Sequence, residues 1–303
     1  MLGYLADLIF ADPRRGHPVA GFGTAAAALE RLTYRDSRAA GAVHVAVLLG
    51  GLAALGSATQ RLAGRPLART LATAAAAYVA LGGTSLARTG DQMAQRLDYG
   101  ERTGDLAGAR ELLPSLCGRD PDSLDAAGLT RASVESIAEN TSDAAVAPLF
   151  WAAVAGVPGL LVYRGANTLD AMIGHRTPRY EQFGWAAARF DDLLNYLPAR
   201  LTGLAVLATA GRPAAAWRAW RHDARKHPSP NAGVVESAFA GALGVRLGGP
   251  TQYRHRLELR PTLGEGSEPA VGDLRRAVRL SRRVQALTAV VAAVFAAAQR
   301  RRP

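Results

Sequence analysis

The sequence predicts an all-α fold: a multi-pass helical membrane protein with about four to five apolar segments and helical cytoplasmic loops. Three observations lead to this class. Apolar residues make up 49% of the chain, although aromatic residues make up only 6%. The apolar residues are gathered into runs close to the roughly 20 residues that a membrane-spanning helix needs. The basic residues lie mostly between these runs, as cationic cytoplasmic loops do in membrane proteins.

The apolar runs suggest a single integral-membrane domain over residues 1–303. They fall at about 39–56, 67–87, 144–163, 199–216 and 283–298. The first run contains one polar side chain, His44, and the second is dominated by alanine. A soluble helical hairpin is the alternative for these two runs, because both only just reach spanning length.

The third run, 144–163, is interrupted by Pro148, Gly156, Pro158 and Gly159. Backbone that is not helical is tolerated at membrane depth only where it faces protein or a wet cavity. We therefore expect this segment to be re-entrant, to be broken near Gly156–Gly159, or to face a site inside the bundle.

The charge distribution favours membrane loops over nucleic-acid binding. The formal net charge is +11, and of 36 basic residues 35 are Arg and one is Lys226. The stretch 211–282 holds twelve Arg, Lys226 and only six acidic residues, which makes it the strongest candidate for a cytoplasmic segment. The single Cys117 excludes an intramolecular disulfide and a cysteine-rich metal site.

Carboxylates are concentrated in two polar blocks that flank the third run. In the first, Glu135, Glu139 and Asp143 are spaced four residues apart, so a continuous helix would place them on one face. A divalent metal or an arginine cluster could neutralise them. Two alternatives are a solvated acidic face and a helix break in which Asn140–Asp143 caps a new helix near Ala144.

In the second block, Asp191, Asp192 and Asn195 fall within one helical turn. Their oxygens are a plausible ligand set for Mg²⁺, and an ordinary helix surface is the alternative. From the two blocks together we predict four metal ligands: Glu139, Asp143, Asp191 and Asp192.

The motif K-H-P-S-P-N-A-G at 226–233 leads into a helix of small residues. Ser229 and Asn231 can cap that helix, and its first amides could hold an anion. Because every other basic residue is Arg, Lys226 suggests a need for a compact ammonium, which would form a phosphate-binding corner with those amides. The alternative is a solvated lysine in a basic loop. The sequence has no phosphate loop of the G-x-x-x-x-G-K-[ST] type, so any nucleotide site must be of another kind.

The ordered motifs together resemble the CobD/CbiB family of cobalamin biosynthesis, the adenosylcobinamide-phosphate synthases. The resemblance covers nearly the whole chain through A-D-P…H-P-V, G-R-D, E-S-I-A-E-N-T-S-D…A-P-L-F, N-T-L-D-A-M-I-G, F-D-D-L-L-N-Y-L-P-A-R and H-P-S-P-N-A-G. The family usually has Gly where this chain has Ala11 and Ala144, which should alter local turns without removing a functional group.

The resemblance implies a multi-pass cell-membrane enzyme with its active site on the cytoplasmic side. The implied reaction is an ATP-dependent amide ligation, with Mg²⁺, of adenosylcobyric acid to (R)-1-amino-2-propanol or its O-phosphate. The product would be adenosylcobinamide or its phosphate. The implied partners are the corrinoid, the aminopropanol and membrane lipid, without nucleic acid. A homo-oligomer, or a complex with later enzymes of the pathway, would also fit.

The chemistry of such a ligation suggests which residues act in catalysis and which bind the substrates. Glu135, as a possible base, Glu139 and Asn140 are the catalytic candidates. The substrate-binding candidates are Arg164, Asn167, Asp170, Arg179, Arg189, Asn195, Lys226, His227, Ser229 and Asn231. Two other classes stay open: a membrane transporter of a corrinoid or other organic solute, and a non-catalytic membrane interaction or sensor protein.

Overall fold

A computed structural model describes residues 1–12, 16–175, 177–253 and 256–300. The first helices are α1 (Leu2–Phe10), α2 (Pro18–Thr33), α3 (Arg38–Leu62), α4 (Pro66–Ala80), α5 (Gly83–Thr103) and α6 (Ala107–Leu112). The others are α7 (Ala126–Thr141), α8 (Ala147–Ile173), α9 (Trp185–Thr209), α10 (Pro213–Asp223), α11 (Ala232–Leu243) and α12 (Val271–Arg300). Short 3₁₀ turns cover Leu113–Ser115, Pro121–Ser123 and Ala224–Lys226, and the strands are β1 (Leu247–Tyr253) and β2 (Arg256–Leu263).

Four helical stretches of the described chain are long and apolar enough to cross a membrane. They are Arg38–Leu62, Pro66–Thr103, Ala126–Ile173 and Val271–Gln299. This confirms the predicted fold class. The fifth predicted segment, 199–216, is not among them, because α9 ends at Thr209 and Pro213 begins α10 after a short turn.

The backbone of α8 is broken where the sequence predicted a break. Gly156 has φ 61° and ψ −149°, and Pro158 follows inside the helix. A residue with a Cβ rarely adopts this φ, so glycine permits the break. The break near Gly156–Gly159 is confirmed.

The chain folds as two compact units. The first unit contains Met1–Gly82, Asp143–Asn195 and Ala289–Pro303. In it α8 packs against α3 and α4. The approach to α3 is close, because a Cβ on Gly56 would lie 2.6 Å from the Cα of Pro158. One apolar core joins α2, α3, α8 and the start of α9 through Ala26, Val45, Leu49, Ala166, Leu169, Ile173, Phe183 and Ala187.

The second unit contains Gly83–Ser142 and Tyr196–Thr288. Here α5 packs on α7, and α10 packs on α11. β1 and β2 form an antiparallel hairpin, in which Leu247 lies opposite Leu263 and both side chains are fully buried. The sequence had suggested only helices and loops in this region.

Two local features depart from the predicted pattern. The segment Ser142–Val146 is a π-helical turn that continues α7 directly into α8, so the predicted helix cap near Ala144 is wrong. Ala11 has φ 54° and ψ −166°, and among the described residues it is the only non-glycine residue with positive φ. This backbone conformation is strained for a residue that carries a Cβ.

Candidate functional site

A buried ion pair anchors the first polar motif to its surroundings in the second unit. Glu135 on α7 is 2% exposed. One of its carboxylate oxygens pairs with the Arg119 guanidinium, and the other accepts a hydrogen bond from the backbone N–H of Gly248 at 2.7 Å. Charge-assisted bonds of this kind are strong. Glu135 is therefore firmly positioned, with both carboxylate oxygens engaged.

Glu139 has a different environment on the same helix. From Ala132 to Ser142 every residue is buried except Glu139, which is exposed, and Asn140, which is half-buried. Asn140 Nδ2 donates to the backbone oxygen of Ser136 at 3.0 Å. Glu139 is thus an exposed residue on a helix segment that is otherwise packed.

A third carboxyl group, Glu236, lies on α11 and was not singled out by the sequence. All twelve residues of α11 are buried, and Glu236, at 1% exposure, is its only charged residue. Among the described residues neither carboxylate oxygen of Glu236 accepts a hydrogen bond. His227 Nε2 lies 3.8 Å from its Oε1. Burial, and then the nearby Glu135 and Glu139 carboxylates, raise the pKa of Glu236 well above the ordinary value, although Arg260 and Arg119 offset part of this.

The loop before α11 is fixed by its own side chains. Ser229 Oγ accepts hydrogen bonds from the N–H groups of Asn231 and Ala232, at 3.3 and 3.2 Å, which confirms Ser229 as a cap. His227 Nδ1 accepts from the N–H of Ser229 at 3.1 Å. The Asn231 side chain makes no capping bond, contrary to prediction. Instead it accepts a hydrogen bond from Arg200 at 2.7 Å.

A cavity of about 510 Å³ opens beside this loop. It is lined by Tyr196, Arg200, Trp220, Arg221, Ala224, Arg225, His227, Pro228, Pro230 and Val234. Three guanidinium groups and the rings of Tyr196 and Trp220 therefore face it, and none of the described residues in its wall is a carboxylate. Arg200 lies over the Tyr196 ring, 3.7 Å from the ring centre. This lining suits an anionic ligand, because guanidinium groups match phosphate and carboxylate geometry.

Lys226 is not part of that wall. Its ammonium donates to Asp223 Oδ1 at 2.7 Å, and the second oxygen of Asp223 accepts from the N–H of Gly264 at 2.8 Å. Burial alone would raise the pKa of Asp223, but these bonds and one to His222 outweigh it and lower the pKa. Lys226 thus has a carboxylate partner, and its role as a phosphate ligand stays a prediction.

A second cavity, of about 700 Å³, lies between α10 and α11. Its wall includes Arg212, Arg218, Arg221, His222 and Trp217, together with the acidic Asp223 and Glu265. Arg221 contributes to both cavities.

The first unit contains a separate polar cluster, built on α8 and α9. The Tyr163 hydroxyl lies 3.0 Å from both Asn195 Oδ1 and the backbone oxygen of Asp143. Asn195 Nδ2 in turn donates to Asp191 Oδ2 at 2.9 Å. From the next position of α8, Arg164 Nη1 donates to Asn167 Oδ1 at 3.3 Å.

Asp191 is a strongly perturbed carboxyl group of this cluster. It lies on α9, outside the four candidate spans, and is 8% exposed. Burial, and then the nearby Asp170 carboxylate, raise its pKa to about 7. Its Oδ1 accepts no hydrogen bond from the described residues. The structure thus brings together six residues predicted from sequence: Asp143, Arg164, Asn167, Asp170, Asp191 and Asn195.

Three other predicted residues have neighbours of their own. Arg189 is an exposed partner of Asp192, at 3.7 Å, and burial raises the pKa of Asp192. Arg179 donates to Glu30 at 2.8 Å and lies 4.1 Å from the centre of the Tyr34 ring. The bond to Glu30 joins the turn before α9 to α2.

The four predicted metal ligands are divided between the units, with Glu139 in the second and Asp143, Asp191 and Asp192 in the first. Nowhere in the described chain do three or more His, Cys, Asp or Glu side chains form a group that could hold a metal ion. The metal site stays a prediction. Asp191 fits a cation best on chemical grounds, because it is buried near the Asp170 carboxylate and its Oδ1 accepts no hydrogen bond from the part of the chain that the structure describes.

Comparison with known proteins assigns the chain to a family. The profile of the family described as CobD/Cbib protein matches residues 1–281. The chain belongs to the CobD/CbiB family. It is 60% identical to the cobalamin biosynthesis protein CobD of Mycobacterium tuberculosis strain H37Rv, over 100% of this chain and 96% of that protein. The proteins of the same name from Chromobacterium violaceum and Geobacter metallireducens are 45% and 40% identical, over 93% and 96% of this chain and 91% and 94% of theirs.

No solved structure matches the chain. Both polar clusters and both cavities fall inside the stretch that matches the CobD/CbiB profile. Sequence reasoning missed Arg119, Tyr163 and Glu236. Of these, Glu236 carried a usable signal, because it is the one charge in an apolar helix.

Proposed function

We propose that the chain acts in cobalamin biosynthesis and joins adenosylcobyric acid to (R)-1-amino-2-propanol, or its O-phosphate, in an ATP-dependent amide ligation. The observation that carries this proposal is membership of the CobD/CbiB family over residues 1–281, with a relative named cobalamin biosynthesis protein CobD at 60% identity over the full chain.

The geometry supplies groups that this reaction needs. A carboxylate is a poor acyl donor, and ATP can convert it into an acyl phosphate that an amine attacks. Cationic groups must then stabilise the phosphoryl oxygens. Arg200, Arg221 and Arg225 line the 510 Å³ cavity and can do so. The 700 Å³ cavity, which shares Arg221, adds room for a large substrate.

Mg²⁺ would accompany ATP, since this ion usually keeps phosphate and water ligands and takes only one or two carboxylates from the protein. In this proposal Asp191 is its first protein ligand, with Asp143 and Asp192 of the same unit as the other candidates; Glu139, in the second unit, is a separate candidate. When bound, the ion neutralises phosphate charge. Asn140, Asn167 and Asn195 are the amides available to hydrogen-bond the substrate amides.

ATP is a cytoplasmic substrate, so the second unit, with its arginine-lined cavities, should face the cytoplasm of a multi-pass cell-membrane protein. The excess of Arg in 211–282 supports this orientation.

The test is a reconstitution. Protein purified in detergent is incubated with adenosylcobyric acid, Mg²⁺-ATP and either free or phosphorylated aminopropanol, and the corrinoid is analysed by mass spectrometry. We expect an amide product that requires ATP. A protein that is folded and makes no such product under any of these conditions would contradict the proposal.

Transport of a corrinoid is the second candidate, because carboxylates embedded in apolar helices also mark solute pathways. Asp143 and Asp170 lie in such a helix. Proteoliposomes separate the two functions: a transporter moves labelled corrinoid into the lumen without changing it, whereas a ligase changes its mass.

A further inference from the structure

Glu236 occupies an unusual position for a carboxyl group. It lies in the middle of a fully buried helix, and neither of its oxygens accepts a hydrogen bond from the described residues. Burying an ionisable group without partners costs several kcal/mol, so such groups are rare unless they serve a function. A structural role would be expected to give Glu236 donors, as Glu135 has in Arg119 and Gly248.

The charged groups around Glu236 come from several elements. Glu135 and Glu139 face it from α7, Arg119 from the loop before α7, Arg260 from β2, and His227 from the loop before α11. On the opposite side of α11, α10 approaches Gly241 through the backbone of Ala215 and Ala216. When all three carboxylates are ionised and His227 is neutral, the two guanidinium groups leave one negative charge, and this excess, after burial, favours the protonated form of Glu236 when no ligand is present. One monovalent cation would restore neutrality.

The cation that fits is an ammonium group. No three His, Cys, Asp or Glu side chains of the described chain converge as a metal would require, so a compact metal ion lacks its ligands here. An ammonium brings three N–H donors, and Glu236 offers two oxygens that accept no hydrogen bond from any described residue. We propose that Glu236 binds the ammonium group of the aminopropanol substrate and accepts its proton, which makes it a catalytic residue.

This inference rests on the proposed ligation, and the proton balance is simple. The ammonium gives one proton to the Glu236 carboxylate, and the resulting amine attacks the acyl phosphate carbon. The new C–N bond forms as the C–O bond to phosphate breaks. A second proton of the amine nitrogen leaves with the phosphate. The raised pKa of Glu236 suits a group that must hold a proton near neutral pH.

Kinetics of Glu236→Gln provide the first test, with Glu236→Asp as the conservative variant and the exposed Glu101→Gln as the matched control. We expect Glu236→Gln to raise the KM for aminopropanol about tenfold or more, since a charge-assisted bond is lost. The KM values for ATP and corrinoid should stay within about twofold. Glu236→Asp should retain part of the affinity, and Glu101→Gln should match the wild type. An unchanged aminopropanol KM in Glu236→Gln, or an equal rise for all three substrates, would overturn the assignment.

The pH profile gives a readout that a purely structural role would not move. In the wild type, the aminopropanol KM should rise as the pH falls and Glu236 becomes protonated. In Glu236→Gln that dependence should flatten, and a profile that keeps its shape would count against the inference.

A chemical measurement covers the case in which Glu236→Gln fails to fold or the wild type shows no ligation. Dicyclohexylcarbodiimide modifies protonated carboxyl groups in apolar surroundings. In wild-type protein it should label the peptide that contains Glu236, and aminopropanol should protect this peptide while propane-1,2-diol does not. If aminopropanol protects the Glu236 peptide although the protein forms no amide, the ammonium site is supported and the proposed ligation is refuted. Equal labelling with and without the amine would refute the site itself.

Discussion

Replacement of Asp191 by Asn should make the protein more stable and less active. The pKa of Asp191 rises from 3.8 to about 7 in the folded chain. Each unit of pKa difference corresponds to about 1.36 kcal/mol, so ionising Asp191 costs the folded state at most roughly 4 kcal/mol. Asn keeps a side chain of the same shape and still offers Asn195 an oxygen, yet it carries no charge.

The sign of the pH dependence follows from the raised pKa. Below the unfolded value of 3.8 both states are protonated, and Asp191 costs nothing. The folded state loses stability as the pH rises from 3.8 to about 7, and above 7 the full cost applies. Asp191→Asn should therefore unfold at a temperature higher by about 5 °C or more at pH 8, and at the wild-type temperature at pH 4.

The assay is thermal unfolding in detergent with EDTA, which removes any cation that would offset the charge. The exposed Asp122→Asn is the control, and it should match the wild type at both pH values. In the ligation assay Asp191→Asn should lose activity, as expected when a residue is kept for function at the expense of stability. Destabilisation at pH 8, or an equal gain at both pH values, would refute this reasoning.

Three further predictions follow from particular contacts. If Lys226 binds phosphate, Lys226→Ala should raise the KM of one phosphate-bearing substrate about tenfold or more. An unchanged KM, together with lower thermal stability, would show that Lys226 serves only as the ion-pair partner of Asp223. Ala11→Gly should relieve the positive φ and stabilise the protein by about 1 kcal/mol, whereas Ala144→Gly, in the π-helical turn, should destabilise it by a similar amount. A single cysteine placed at the exposed Asp122, in a Cys117→Ser background, should not be labelled by a membrane-impermeant thiol reagent added to intact cells. Labelling from outside would contradict the proposed cytoplasmic orientation of the second unit.

The sequence predicted the apolar helices and the break in α8 well, because both depend on local composition. Four spanning-length helices and the non-helical Gly156 needed no knowledge of distant contacts. The β1–β2 hairpin was missed because its strands contain glycines, prolines and charged residues, which are uncommon in strands. The π-helical turn at Ser142–Val146 was missed because Asn140 to Asp143 are all good helix-capping residues.

The candidate site was predicted in part. The i, i+4 spacing found Glu135 and Glu139, but it could not show that one is buried against Arg119 while the other is exposed. The partners of Glu135 are 16 and 113 residues away in sequence, so only the folded chain joins them. Glu236 has no partner at helical spacing at all. Its one sequence signal is that it is the only charged residue of an apolar helix, and the packing adds that every residue around it on α11 is buried.

Isotope transfer during turnover tests the ligation most directly. Adenosylcobyric acid labelled with ¹⁸O in its free carboxylate is incubated with the purified protein, Mg²⁺-ATP and aminopropanol. Activation through an acyl phosphate predicts one ADP for each amide formed, with one ¹⁸O atom in the released inorganic phosphate. Corrinoid recovered with its carboxylate unchanged, or amide formed without consumption of ATP, would contradict the proposed function.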